Sequence, residues 1–258
     1  MTSNQHYIPQ FYQRYWQCER MGYVWTLDKK FNSVRQSPIK SNCSIKYIYE
    51  ADEESPTNLF ENQYRREIED KYGKDYARLV KARVCLQYIN LTDKKMLGRL
   101  CSNFSARNPV NLYLNMRNQM LVSNFTLGSG IDKRIEKRWL LNVIPFSKSN
   151  FEEELMNCGV NVLFSDEPII IFGSCPIEQV NYEREYYFPI CPYMLAHFSM
   201  KYKANDGVIR KISDDEYKRF IELYVKSKYI RQLYASKRDV LIDIQKNHGT
   251  SLVYEDYI

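Results

Sequence analysis

His6, Gln10, Arg107 and Asp166 are residue types that together suit phosphodiester cleavage. An imidazole titrates near neutral pH and can move a proton, a guanidinium offers phosphate a fixed fork of donors, and a carboxylate orients the imidazole or holds a metal. The reaction needs a base, an acid and a group that stabilises the charge developing on the phosphoryl oxygens. Glu61 or Glu67 would supply a second carboxylate if Mg²⁺ takes part, and the residues leave the cofactor undetermined. Each residue also has an ordinary role open to it. His6 can pin the N-terminal segment by hydrogen bonds, Arg107 can satisfy the last carbonyls of a helix, and Asp166 can form a turn before Glu167 and Pro168.

Composition narrows the alternatives. Nine glycines occur in 258 residues, about half the usual share, and none falls into a phosphate-cradling GxGxxG or GxxxxGK[ST] pattern. Phosphate contacts must therefore come from side chains. Seven cysteines stand far apart with no CxxC pair, so neither a disulfide framework nor a zinc knuckle is indicated. Cys85 and Cys101 read as small core residues. With three histidines at no shared helical spacing, no metal site is assigned. Apolar runs as short as Ile169 to Phe172, and a polar start without the plan of a signal peptide, predict a soluble cytoplasmic protein with no membrane partner.

The net charge of +6 is mild, but it is concentrated. Lys133, Arg134, Lys137 and Arg138 precede Trp139, while Lys226, Lys228, Arg231, Lys237 and Arg238 are interleaved with Tyr224, Tyr229 and Tyr234. Cations can hold backbone phosphate while neighbouring rings stack on unpaired bases, so both clusters are candidate contacts to RNA or DNA. The bland reading is a solvated helix face, which is usually charged.

Behind these residues the periodicity predicts their carriers. Tyr23 to Lys30 and Ser44 to Glu50 alternate as strands, and Phe60, Tyr64, Ile68, Tyr72, Tyr76 and Leu79 mark one face of a long, largely wet helix over 59–86. Thr92 or Asp93 can cap a helix that Pro109 stops, which places Arg107 in its last turn. Another helix is expected within 115–146, ending at Trp139, Leu140 and Leu141. Asn161 to Gly173 reads as two buried strands joined by an acidic turn, and Tyr186 to Pro192 as a further strand. Ser213 and Glu216 form a capping box for a long helix running toward Ser236. The fold class is α+β: one compact domain over 1–258 with a mixed or antiparallel sheet core, several long amphipathic helices and the option of a helical sub-lobe at 57–146.

Asn4-Gln5-His6-Tyr7-Ile8-Pro9-Gln10-Phe11-Tyr12 resembles the opening motif, HYVP followed by an aromatic, of the domain-of-unknown-function family forty-two thirty-eight. Arg107-Asn108-Pro109, Ser165-Asp166-Glu167-Pro168, the Tyr187 to Pro192 run and Tyr234-Ala235-Ser236 follow in the family's order. The resemblance implies that His6, Arg107 and Asp166 belong together, and it implies no activity. From this grouping and the basic-aromatic clusters the leading expectation is a small intracellular nuclease, on RNA rather than DNA; a role as effector or toxin in bacterial antiviral defence is expected from the uncharacterised, mobile character of such families, not from any residue. The rival is a non-catalytic module that binds nucleic acid, a nucleotide or a protein. A third reading, a subunit of a larger assembly or a homo-oligomer, draws on the many tyrosines and the apolar end of Ser251 to Ile258.

Overall fold

The structure is a computed structural model that describes residues 4–50, 58–84, 87–111, 150–174, 178–180 and 185–254. A short strand, Asn4–His6 (β1), leads into a single helical turn, Gln10–Gln13 (α1), and a hairpin of Tyr23–Asp28 (β2) with Ser33–Pro38 (β3). Ser44–Lys46 (β4) then pairs antiparallel with β1. This strand is shorter than the alternation over Ser44 to Glu50 predicts. Cys43 and Tyr47 both adopt φ 51°, a left-handed backbone that breaks the ladder on either side.

The apolar stripe after Leu59 does form helix, though not a uniform one: Leu59–Tyr64 (α2), a π-helical turn over Arg65–Asp70, then Lys71–Lys81 (α3). The stripe itself gives the reason. Residues spaced by four drift by about 40° per step around a helix of 3.6 residues per turn, and a wider π turn recovers part of that drift. Tyr64, Ile68 and Tyr76 accordingly all reach the core. Leu91–Arg107 (α4) begins at Asn90, not at Thr92 or Asp93: the Asn90 side chain accepts from the Asp93 backbone N–H at 2.9 Å, and the Asp93 carboxylate answers to the Asn90 N–H. It stops at Arg107 because Asn108, held extended before Pro109, cannot continue the helix. The helix expected within 115–146 lies outside the described residues.

Asn150–Asn157 (α5) is followed by Gly159–Phe164 (β5), Phe172–Gly173 (β6), Glu178–Val180 (β7), Glu185–Cys191 (β8), Met194–Ser199 (β9) and Ile209–Lys211 (β10). Asp214–Lys226 (α6), Gln232–Ala235 (β11) and Arg238–His248 (α7) complete the described elements. The strands form a five-stranded sheet, β10-β5-β9-β8-β7, with β10 parallel to β5, and a four-stranded antiparallel sheet, β3-β2-β11-β6. The architecture is therefore α+β. Two sequence expectations need correction. Of the apolar run after the acidic turn only Phe172–Gly173 (β6) forms strand, and it joins a different sheet from β5. The helix predicted to reach Ser236 ends at Lys226, because Leu233 and Ala235 face one core and Tyr234 the other, a two-residue period that requires a strand.

Both faces of the five-stranded sheet are covered. Val160, Val162, Tyr186, Phe188 and Phe198 meet Tyr12, Trp16 and Phe104 on one side, and Leu163, Tyr187 and Leu195 meet Phe220 and Tyr224 of α6 on the other. The N-terminal motif is locked into the first core: the Tyr12 hydroxyl donates to the Pro189 carbonyl at 2.6 Å and Trp16 Nε1 to that of Ile170 at 3.2 Å. No described helix is long and apolar enough to cross a membrane.

Candidate functional site

The end of α4 delivers Arg107 into the interior, where it is fully buried. Its guanidinium donates through Nη2 to the His6 carbonyl and through Nε to the Tyr49 hydroxyl at 3.3 Å, and it lies 4.2 Å over the Tyr64 ring. Glu61 of α2 supplies the counter-charge, with Oε2 3.6 Å from Nη2. Arg107 Nη1 and Glu61 Oε2 are both buried without a hydrogen bond. Burial raises the Glu61 carboxyl above its ordinary 4.5 while Arg107 opposes the shift, and Glu69 is raised for the same reason. Nearby, Gln5 bridges the Glu50 carboxylate at 2.7 Å and the Tyr49 N–H at 2.8 Å, so β1 is tied to the chain after β4 by side chains as well as by its ladder.

His6 is buried beside this guanidinium, its Nε2 3.3 Å from Gln10 Nε2. Burial holds the imidazole below 6.5, with backbone hydrogen bonds at Ile39 and Lys40 pulling the other way and Arg107 adding to the depression. The ring is therefore neutral at pH 7 and held on two sides. Of the four residues grouped from the sequence, three come together: His6, Gln10 and Arg107. Asp166 does not join them. It lies in the exposed turn after β5, its carboxylate on the Lys211 ammonium of β10, with 68% of its side chain accessible.

The residues immediately after His6 and Arg107 are buried too, but they border a cleft. Tyr7, Asn108 and Pro109 line a cleft of about 240 Å³ together with Ile45, Val110, Ser174, Tyr229, Arg231, Gln232 and Tyr254. Arg231, just ahead of β11, directs Nε and Nη2 to Asp28 Oδ2, both at 3.3 Å, and its guanidinium is 6.0 Å from the Tyr254 ring centre. That pairing fixes the fork. Asn108 is anchored in turn, its Nδ2 donating to the Ser174 carbonyl at 3.1 Å and its Oδ1 accepting from Val110 N–H at 2.8 Å.

The basic clusters divide. Lys226 is paired with Glu222 along α6 at 2.8 Å, Lys228 lies 5.4 Å from the Tyr229 ring, and of these residues Arg231 alone lines the cleft. Lys133, Arg134, Lys137 and Arg138 lie outside the described residues. No group of three or more His, Cys, Asp or Glu side chains arranged to hold a metal is found among the described residues. Tyr7, Asn108 and Tyr254 were missed as site residues in the sequence, although the first two directly follow His6 and Arg107. The signal was adjacency: Tyr7 directly follows β1 and Asn108 directly follows α4.

The family model described as "Protein of unknown function (DUF4238)" matches residues 4–136. Neither the curated proteins nor the solved structures contain a match to the chain.

Proposed function

Because the chain belongs to that family of unknown function, membership supplies no activity, and we propose from its own residues that it binds a nucleotide unit of single-stranded RNA in the cleft beside Tyr7 and Asn108. One observation carries the reading: Arg231, with its fork aimed by Asp28, shares a single concave surface with three tyrosines, Tyr7, Tyr229 and Tyr254. Rings supply the stacking faces, guanidinium the phosphate contact, and the anchored amide of Asn108 a polar edge. The cleft volume lies just below the range of about 300–1,000 Å³ usual for small-molecule sites, a size suited to one nucleotide at a time.

Cleavage of the bound strand is a second reading, favoured by the convergence of His6, Gln10, Arg107 and Glu61, with imidazole and carboxyl both displaced toward their neutral forms. An imidazole and a carboxyl brought together are groups that proton transfer uses. Defence or toxicity is the setting that activity would serve. A single experiment addresses both readings: a fluorescent oligoribonucleotide is titrated with the full chain, and its length is followed with and without Mg²⁺. Tyr229→Ala, at an exposed position, is expected to weaken binding about fivefold or more. Equal affinity in that variant and the parent would remove the cleft assignment. Cleavage by the parent that survives in His6→Ala would remove the second reading.

A further inference from the structure

The α6 side of the five-stranded sheet carries a cluster that the cleft does not use. His197 of β9 stands opposite Tyr187 of β8, and the two rings stack with centres 4.1 Å apart. Nδ1 of His197 lies 3.0 Å from the Tyr202 hydroxyl, and Nε2 lies 3.7 Å from Oε2 of Glu185. Those two side chains are only 5% and 2% exposed, yet neither Nε2 nor Oε2 makes a hydrogen bond. A purely architectural pair gains by closing to hydrogen-bond distance, since leaving both groups unsatisfied costs free energy. Long contacts of this kind are common in catalytic pairs that tighten only when the reacting groups are in place.

The backbone delivers Tyr202 to this spot by a close approach. A 3₁₀ turn over Met200–Asn205 lies against Gly159 of β5, where a Cβ would run into the Tyr202 carbonyl carbon. The hydroxyl is hydrogen-bonded to Arg210 and to Nδ1 of His197, and burial keeps it protonated, so attack requires a base at hydrogen-bond distance. Cations border the group toward solvent. Lys201 Nζ is 2.8 Å and Arg219 Nη1 3.8 Å from Glu185, with 61% and 59% of their side chains exposed. Arg210 is held by Glu216 at 2.7 Å. Three cations thus face two carboxylates, a balance that attracts an anionic substrate.

We propose that Tyr202 is a nucleophile toward a phosphodiester seated against Lys201 and Arg219, with His197 as its base and Glu185 facing the other imidazole nitrogen. The Tyr202 oxygen bonds to phosphorus as its proton passes to Nδ1 of His197. The bond from phosphorus to the leaving alcohol breaks, and that alcohol takes up the proton. Water then opens the phosphotyrosyl ester, giving one proton through His197 back to the Tyr202 oxygen, so the products are an alcohol and a phosphomonoester and no electrons change hands.

The cleft is not needed for this proposal. Its test is incubation of the full chain with bis(p-nitrophenyl) phosphate, with a labelled oligoribonucleotide and with the DNA strand of the same sequence, followed by mass spectrometry of the peptide that contains Tyr202. A phosphodiester adduct on Tyr202 and release of alcohol are expected, and the strand that forms the adduct identifies the polymer. Tyr202→Phe preserves the ring and is expected to abolish the adduct and slow release at least about 100-fold. Lys201→Gln is expected to slow release about tenfold. A parent that releases no alcohol from any of the three substrates overturns the proposal, as does a Tyr202→Phe variant that turns over like the parent.

Discussion

Arg107 is the costliest side chain to bury in the first core, and its partners show what offsets the cost: two backbone or hydroxyl acceptors, a ring face and the Glu61 carboxylate. Arg107→Met is expected to destabilise the fold by about 3–5 kcal/mol at pH 7, because Glu61 would remain buried without its cation. The sign of the pH effect follows from the carboxyls. Glu61 and Glu69 already titrate above 4.5, and loss of the guanidinium raises them further. A group raised on folding gives stability that is full below its unfolded value and is lost as pH rises through its folded value. The deficit of the variant should therefore be small near pH 4.5 and grow toward pH 7, read by urea denaturation at each pH; a deficit independent of pH would count against the carboxylates as its cause. The sequence suggests Arg107 as a helix-end residue and as a phosphate fork, and the guanidinium is instead buried, with Nη2 and Nε engaged and Nη1 left without a hydrogen bond. Asp166 shows the reverse error, a surface turn residue grouped with buried ones by order along the chain.

Elements were most legible where a local rule fixed them. Ser213 with Glu216 starts α6 as expected, its hydroxyl accepting from the Glu216 N–H at 3.3 Å, and Arg107-Asn108-Pro109 ends α4. The start of α4 was read two or three residues late because Asn90 precedes the apolar stripe and its reciprocal partner, Asp93, is itself a good cap. Asn90→Ala is expected to cost about 1 kcal/mol, visible as a lower thermal midpoint, with Asp93 still carrying the Arg78 ion pair. An unchanged midpoint would mean that the helix start is held by packing alone. Long-range register was not legible: His197, Glu185 and Tyr202 meet because β8 and β9 pair in one particular alignment and because Gly159 admits the turn after β9. A lone histidine in the otherwise apolar strand MLAHFS was the visible trace of that cluster.

At the scale of the molecule, the segment matched by the family model is not a structural unit on its own. Tyr12 depends on Pro189, Trp16 on Ile170 and β2 on β11, all beyond residue 136. A fragment covering residues 1–136 is expected to lack a cooperative melt and to be degraded rapidly by protease, whereas a protected, cooperatively melting fragment would show that the first core closes without the second half. The pairing of β2 with β11 also sets an order of events in time. Roughly 200 residues separate the two strands, so at about 5–20 residues per second a ribosome needs on the order of 10–40 s to supply the partner after β2 has been made. Throughout that interval β2 has β3 on one side and an open hydrogen-bonding edge on the other, a template for mispairing until β11 arrives.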